Sequence, residues 1–149
     1  MNNILQETIF RIASKEDAKS INDISKNELG YSDCTESLVL QKFQKIDFEN
    51  EVVFVAEYKK KVIGFIHAQI YDVLYYESMV NIFGLAVDSK FTKNGIGKSL
   101  MAKVEEWTKS KNIKLIRLNS GGTRTQAHNF YRNIGFSDEK TQLRFMKSL

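Results

Sequence analysis

Apolar and polar residues change rhythm several times along this chain, and each change predicts an element. Residues 8–13 alternate as a half-buried strand does. Ser14, with Asp17 three residues on, reads as a helix start ahead of Ala18, Ile21 and Ile24, which share one helical face. Leu29 and Gly30 end that helix, and residues 33–46 predict a second, carrying Leu38, Leu40 and Phe43. Residues 51–58 and 62–71 predict two strands joined as a hairpin. The turn holds Lys59, Lys60 and Lys61 with no Gly or Asn, so its type stays open. Residues 79–87 are apolar almost throughout, as in a strand covered on both faces. Gly84 within it predicts a bulge or a close backbone approach.

The polar loop 88–94 then leads into Gly95-Ile96-Gly97 and a helix with Ile96, Leu100, Met101, Val104 and Trp107 on one face. Residues 113–118 predict a strand and 119–122 a loop. Residues 126–134 predict a helix closed by Gly135 and Phe136, and 142–146 a last strand. The order is β-α-α-β-β-β-α-β-α-β. It implies an α+β, three-layer α/β/α architecture: a mixed, mostly antiparallel sheet of six to seven strands with helices on both faces. The β-α-β stretch from Met79 to Leu118 supplies one parallel pair.

A length of 149 residues predicts a single domain over 1–149, and 42% apolar with 27% charged residues excludes a disordered chain. No apolar run approaches the roughly 20 residues that span a bilayer, and the N-terminus does not look like a signal peptide. Cys34 is the one cysteine, which suits a reducing cytoplasm and offers no metal cluster. The net charge of +4 would suit a polyanion. The lysines are scattered, however, so neither nucleic acid nor a membrane is expected as partner.

The chemistry concentrates where the strand 79–87 runs through a loop into the next helix. The first N–H groups of a helix have no intrahelical partner, and the helix dipole adds partial positive charge there. A phosphate can sit on them, and glycines allow close approach. Lys93 and Lys98 add charge. The pattern is not a P-loop, and it is not the dinucleotide fingerprint, because Leu100 stands three residues after Gly97. Gly-x-Gly before a helix is by itself as compatible with a plain tight turn.

Two motifs taken together narrow this. Residues 85–100, Leu-Ala-Val-Asp-Ser-Lys-Phe-Thr-Lys-Asn-Gly-Ile-Gly-Lys-Ser-Leu, resemble the acetyl-CoA-binding motif of the GNAT superfamily of N-acetyltransferases. Residues 127–136, Ala-His-Asn-Phe-Tyr-Arg-Asn-Ile-Gly-Phe, are similar to that family's A-x-x-F-Y-x-x-x-G-F. One helix and one strand separate them, as in the family. The resemblance implies a GNAT-like acyltransferase fold with acetyl-CoA as co-substrate. Leu85, Ala86 and Val87 would run along the pantetheine arm, with backbone pairing at Leu85 and Val87. The loop and helix start at Thr92, Lys93, Asn94, Gly95, Ile96, Gly97, Lys98 and Ser99 would hold the pyrophosphate, and Asn119 would add a cofactor contact. Tyr131 would be the acid that protonates the departing sulfur.

The chain departs from the family pattern at Thr92, where Arg or Gln is usual, at Arg124, where Asn is frequent, and at Asn81, where some members carry a catalytic Glu. For the acceptor, Tyr31, Tyr71, Glu77, Asn81 and Arg124 are the candidate contacts, and Tyr75 and Tyr76 lie in the same loop as Glu77. Glu77, His67 and Glu28 are candidates for the base. The acceptor is a small-molecule amine or a protein amino group, and a homodimer is common in the resembling family. An acetyl-CoA-sensing module without turnover is the alternative that Thr92 and Asn81 favour and Tyr131 opposes.

Overall fold

The computed structural model describes residues 3–149. They divide into two units, one ending at Leu118 and the other comprising Asn119–Leu149.

The first unit is built on a five-stranded sheet in the order β1-β2-β3-β4-β5, made of Thr8–Ile12, Glu51–Tyr58, Lys61–Tyr71, Met79–Val87 and Ile116–Leu118. The first three junctions are antiparallel and the last is parallel. The β2–β3 hairpin turns on Lys59 and Lys60, both left-handed at φ 49° and 65°. Two successive positive φ angles match the right-handed twist of the flanking strands, so geometry overrode residue preference here.

The β3–β4 ladder slips once. His67 pairs with Gly84 and Ala68 with Ile82, which leaves Phe83 as an extra residue on β4. Val80 N–H donates to the Leu115 carbonyl (2.9 Å) on the β5 side, whereas Asp88 N–H donates to the Ile63 carbonyl (2.8 Å) on the β3 side. In an unbroken strand residues 80 and 88 would point the same way. The bulge therefore reverses the phase, and Leu85 and Val87 turn their N–H and C=O groups away from β3. β5 pairs with β4 only from Val80 to Ile82, so that side of β4 is unpaired beyond Ile82.

Helices cover both faces of this sheet. The helices α1 (Ala18–Leu29) and α2 (Glu36–Lys45) lie on one face. There Ile21 and Ile24 join Val53, Val55, Phe65 and Ala86 in a buried cluster, with Val39 and Phe43 packed against it. The helix α3 (Ile96–Ser110) lies on the other face, with Ile96, Leu100, Met101 and Val104 fully buried. Burying each such side chain contributes about 1.5–3 kcal/mol. Gly64 marks the tightest approach: a Cβ there would stand 3.0 Å from the Ala86 carbonyl and 3.3 Å from Leu100 Cδ1.

The second unit holds the helix α4 (Thr125–Asn133). It is followed by Gly135 at φ 105°, where the Phe136 N–H donates to the Tyr131 carbonyl (3.0 Å). The expected strand at 142–146 is absent. Leu143, Phe145 and Met146 are exposed, and the segment joins no sheet. Alternation alone does not make a strand, because its N–H and C=O groups need a partner ladder. The sheet accordingly has five strands rather than six or seven, and the strand expected at 113–118 is reduced to Ile116–Leu118.

Candidate active site

The loop between β4 and α3 is braced by side-chain hydrogen bonds. Asp88 accepts from the Lys90 N–H (3.0 Å), and Glu28 of α1 accepts from the Ser89 N–H (3.1 Å). The Thr92 hydroxyl donates to the Ser89 carbonyl (3.1 Å), and the Asn94 amide donates to the carbonyls of Phe91 (3.0 Å) and Thr92 (3.1 Å). These side chains tie down carbonyl oxygens that would repel an anion. Lys93 is left-handed at φ 64°, and Gly95, the N-cap of α3, sits at φ 79°.

Having no side chain, Gly95 cannot cap the helix, so the N–H groups of Ile96, Gly97 and Lys98 keep no intrahelical or side-chain partner. A Cβ on Gly95 would stand 3.3 Å from Leu5 Cδ2 and would strain the backbone. Lys93 and Lys98 are exposed beside these donors. A free strand edge thus leads straight into an uncapped, positively charged helix start. An amide-bearing arm ending in phosphates fits that donor set, and CoA is such a molecule. The sequence-predicted positions Leu85, Ala86, Val87 and Thr92 through Ser99 all lie on this one path.

Of the expected acceptor residues in the first unit, Tyr71 and Asn81 are brought together, and Tyr31 lines a cavity that neither of them lines. Tyr31 follows α1 and lines a cavity of about 290 Å³ between α1, α2 and the sheet, with Leu38, Phe43, His67, Phe83 and Gly84. Tyr71 and Asn81 lie on β3 and β4 and are linked to each other by Arg117. Its guanidinium stands 4.7 Å from the Tyr71 ring centroid and donates to the Asn81 side chain. Arg117 was missed by sequence reasoning, and the parallel register that sets it opposite Asn81 could have found it. Glu77 is exposed in the β3–β4 loop.

Of the three candidate bases, Glu28 is engaged by the Ser89 N–H, and Glu77 has no contact to the cavity. His67 lines the cavity and bonds through Nε2 to Glu51 Oε1 at 2.6 Å. The signal for that pair was the antiparallel hairpin, which sets Val53 opposite His67 and brings Glu51, two residues away, to the same face.

In the second unit Asn119 and Arg124 are exposed, and Arg124 precedes α4 as its N-cap residue. Tyr131 lies edge-on to Phe130 (5.3 Å) and Phe136 (5.6 Å). Burial pushes its phenol pKa above the usual 10, and nearby Arg124 works in the opposite direction. A phenol shifted this way keeps its proton, as a donor must. Among the described residues no cluster of His, Cys, Asp and Glu could hold a metal ion, and no helix is long and apolar enough to cross a membrane.

Known proteins match this arrangement. A transcriptional regulator from Bacillus halodurans superposes with a TM-score of 0.85 at 22% identity, covering 94% of this chain and 99% of that one. An aminoglycoside acetyltransferase from an uncultured soil metagenomic sample gives 0.82 at 22%, covering 98% and 99%. The aminoglycoside N-acetyltransferase AAC(6')-Iy in complex with CoA gives 0.83 at 19%, covering 95% of each chain. At such identities the likeness speaks for the fold. No curated protein sequence matches the chain. The sequence profile of the acetyltransferase (GNAT) family matches residues 18–136, which spans both units. The chain therefore belongs to the acetyltransferase (GNAT) family: it is an N-acetyltransferase, and acetyl-CoA fits as its co-substrate.

Proposed function

We propose that the protein transfers the acetyl group of acetyl-CoA to a primary amine by direct attack of the amine on the thioester, and that both units serve one catalytic domain. The observation that carries this reading is the continuity of the free β4 edge at Leu85 and Val87 with the uncapped start of α3.

In this reading the backbone groups of Leu85 and Val87 pair with the pantetheine arm as a further strand would. The N–H groups from Lys93 to Lys98 and the two flanking lysines hold the pyrophosphate; the Ser99 N–H is engaged by the Gly95 carbonyl (3.0 Å). As the amine adds, negative charge grows on the carbonyl oxygen, and a backbone N–H beside the β4 bulge stabilises it. Tyr131 protonates the sulfur as it leaves, a role that its retained proton suits. The acceptor is a small-molecule amine, as it is for the aminoglycoside acetyltransferases of the same fold. The cavity beside Tyr31 is where it would enter.

Thermal unfolding with and without acetyl-CoA tests the reading. A ligand at about 100 times its Kd adds roughly 2.7 kcal/mol to the native state. For a chain of this size that corresponds to a rise in Tm of several degrees, at about 2–4 °C per kcal/mol. Acetyl-CoA and CoA should give that rise, and ATP and NAD should not. The absence of any rise at saturating acetyl-CoA would defeat the proposal.

A further inference from the structure

The cavity under α1 and α2 is mostly apolar, with Ser25, Tyr31, Cys34, Lys42 and His67 as its polar lining. Leu29, Leu38, Phe43, Phe65 and Phe83 make it apolar, and the one fixed charge on its lining is Lys42, which is positive. No Asp or Glu is among its lining residues, and Glu51 is bonded to His67. A polycationic acceptor would have to desolvate several ammonium groups there with no carboxylates to receive them, and with Lys42 opposing them. One ammonium group on an apolar body meets each cost once rather than several times, and its apolar part gains from the lining.

His67 lies in register beside the start of the free edge. It is the ladder partner of Gly84 at the β4 bulge, one residue before the free edge at Leu85. Its ring packs on Phe83 with centroids 4.8 Å apart, which fixes its orientation. A carboxylate only accepts, so Nε2 carries the hydrogen of the 2.6 Å bond to Glu51, and Nδ1 is left as the basic nitrogen. Nδ1 has no hydrogen-bond partner among the described residues. The other titratable groups lining the cavity are Tyr31 and Cys34 from the α1–α2 connection and Lys42 from α2, and β4 contributes none.

We propose that this cavity takes, as acceptor, a monoamine carried on an apolar body, of the arylalkylamine class, and that His67, positioned by Glu51, is the base that removes its proton. This rests on the acetyltransferase reading above. The ammonium N–H bond breaks and its proton passes to His67 Nδ1, and Glu51 balances the imidazolium. The freed lone pair forms the N–C bond to the thioester carbonyl. The C–S bond then breaks with its electron pair going to sulfur. The sulfur gains a proton while the nitrogen loses its second one. The products are an amide, a thiol and the proton on His67, which returns to water.

The experiment measures thiol release from acetyl-CoA with 2-phenylethylamine and with spermidine, across pH, for the wild type, His67→Gln and Glu51→Gln. Acetyl-CoA stabilisation of each variant is recorded in parallel. The wild type should prefer 2-phenylethylamine by about 100-fold or more in kcat/KM, with an acidic limb in its pH profile. His67→Gln should lower kcat by about 100-fold or more and lose that limb. Glu51→Gln, a positioning change, should move the limb to lower pH while leaving the KM for acetyl-CoA unchanged. A preference for spermidine would overturn the substrate class, as would inertness toward 2-phenylethylamine in a protein that acetyl-CoA stabilises. An unchanged kcat and limb in His67→Gln would overturn the base. A wild type that acetyl-CoA does not stabilise would overturn the underlying reading instead.

Discussion

Gly84 lies opposite His67 although Ile82 already lies opposite Ala68, so one residue of β4, Phe83, has no place in the ladder. That single insertion turns Leu85 and Val87 toward the unpaired edge. It also places the free edge beside the wall of the cavity, since Phe83, Gly84 and His67 line the latter. The co-substrate edge and the cavity wall are thus set by one irregularity in one strand.

Deleting Phe83 should restore the ordinary alternation and turn Leu85 and Val87 back toward β3. The protein should still unfold cooperatively, but acetyl-CoA should no longer raise its Tm. Phe83→Ala keeps the residue count and therefore the bulge, so acetyl-CoA stabilisation should persist. Equal stabilisation of the deletion variant and the wild type would show that the edge does not hold the pantetheine arm.

The β2–β3 turn should be improvable. Lys59 and Lys60 hold left-handed conformations that cost an L residue roughly 1–2 kcal/mol each, and glycine carries no such cost. Lys60→Gly should therefore raise unfolding stability by about 1 kcal/mol, read as a higher urea midpoint with an unchanged slope.

That turn also shows what could be read in advance. The strands on either side were legible because Glu51–Tyr58 and Lys61–Tyr71 are rich in β-branched residues over the length of a strand. The turn type was not, because three lysines carry no turn chemistry and the tight register imposed the geometry. Likewise, Gly84 marked the bulge, and the Gly-x-Gly segment marked the start of α3. The cavity was illegible beyond Leu29, Tyr31 and His67. It is made by side chains from α1, α2, β3 and β4 meeting across the sheet face, and the pairings His67–Glu51 and Arg117–Asn81 depend on register, which no local pattern states. The last strand failed for the converse reason: residues 142–146 have the pattern of a strand but no partner for it.

Stability should depend on one acidic group near the start of α1. Asp17 is buried and accepts from both terminal nitrogens of Arg11 (2.8 and 2.9 Å) and from the Ser14 N–H (2.8 Å). Burial alone would push its carboxyl upward, but Arg11 and the Ser14 N–H outweigh that and hold it below the usual 3.8. Asp17 is therefore more acidic folded than unfolded. Its contribution is complete above about pH 4 and fades as pH falls through the lower, folded value. Asp17→Asn should cost about 2 kcal/mol at neutral pH, and the gap to the wild type should narrow toward pH 2. A gap independent of pH would mean that the loss comes from packing rather than charge.

Tyr131 has two competing explanations, and they part on kinetics. As a packing aromatic between Phe130 and Phe136, it would lose little on becoming Phe, because the ring contacts survive. As the acid that protonates the sulfur, it would lose the only group that the substitution removes. Tyr131→Phe should then lower kcat by about 100-fold while leaving the KM for acetyl-CoA and the acetyl-CoA-induced rise in Tm close to those of the wild type. Because burial raises the phenol pKa, the wild-type rate should hold beyond pH 10 before an alkaline limb begins, and the variant should lack that limb. The sign follows from the role: a donor works while protonated, so a raised pKa extends activity upward in pH. A variant with wild-type kcat would leave Tyr131 a packing residue. A variant that loses kcat but keeps the alkaline limb would assign the limb to another group.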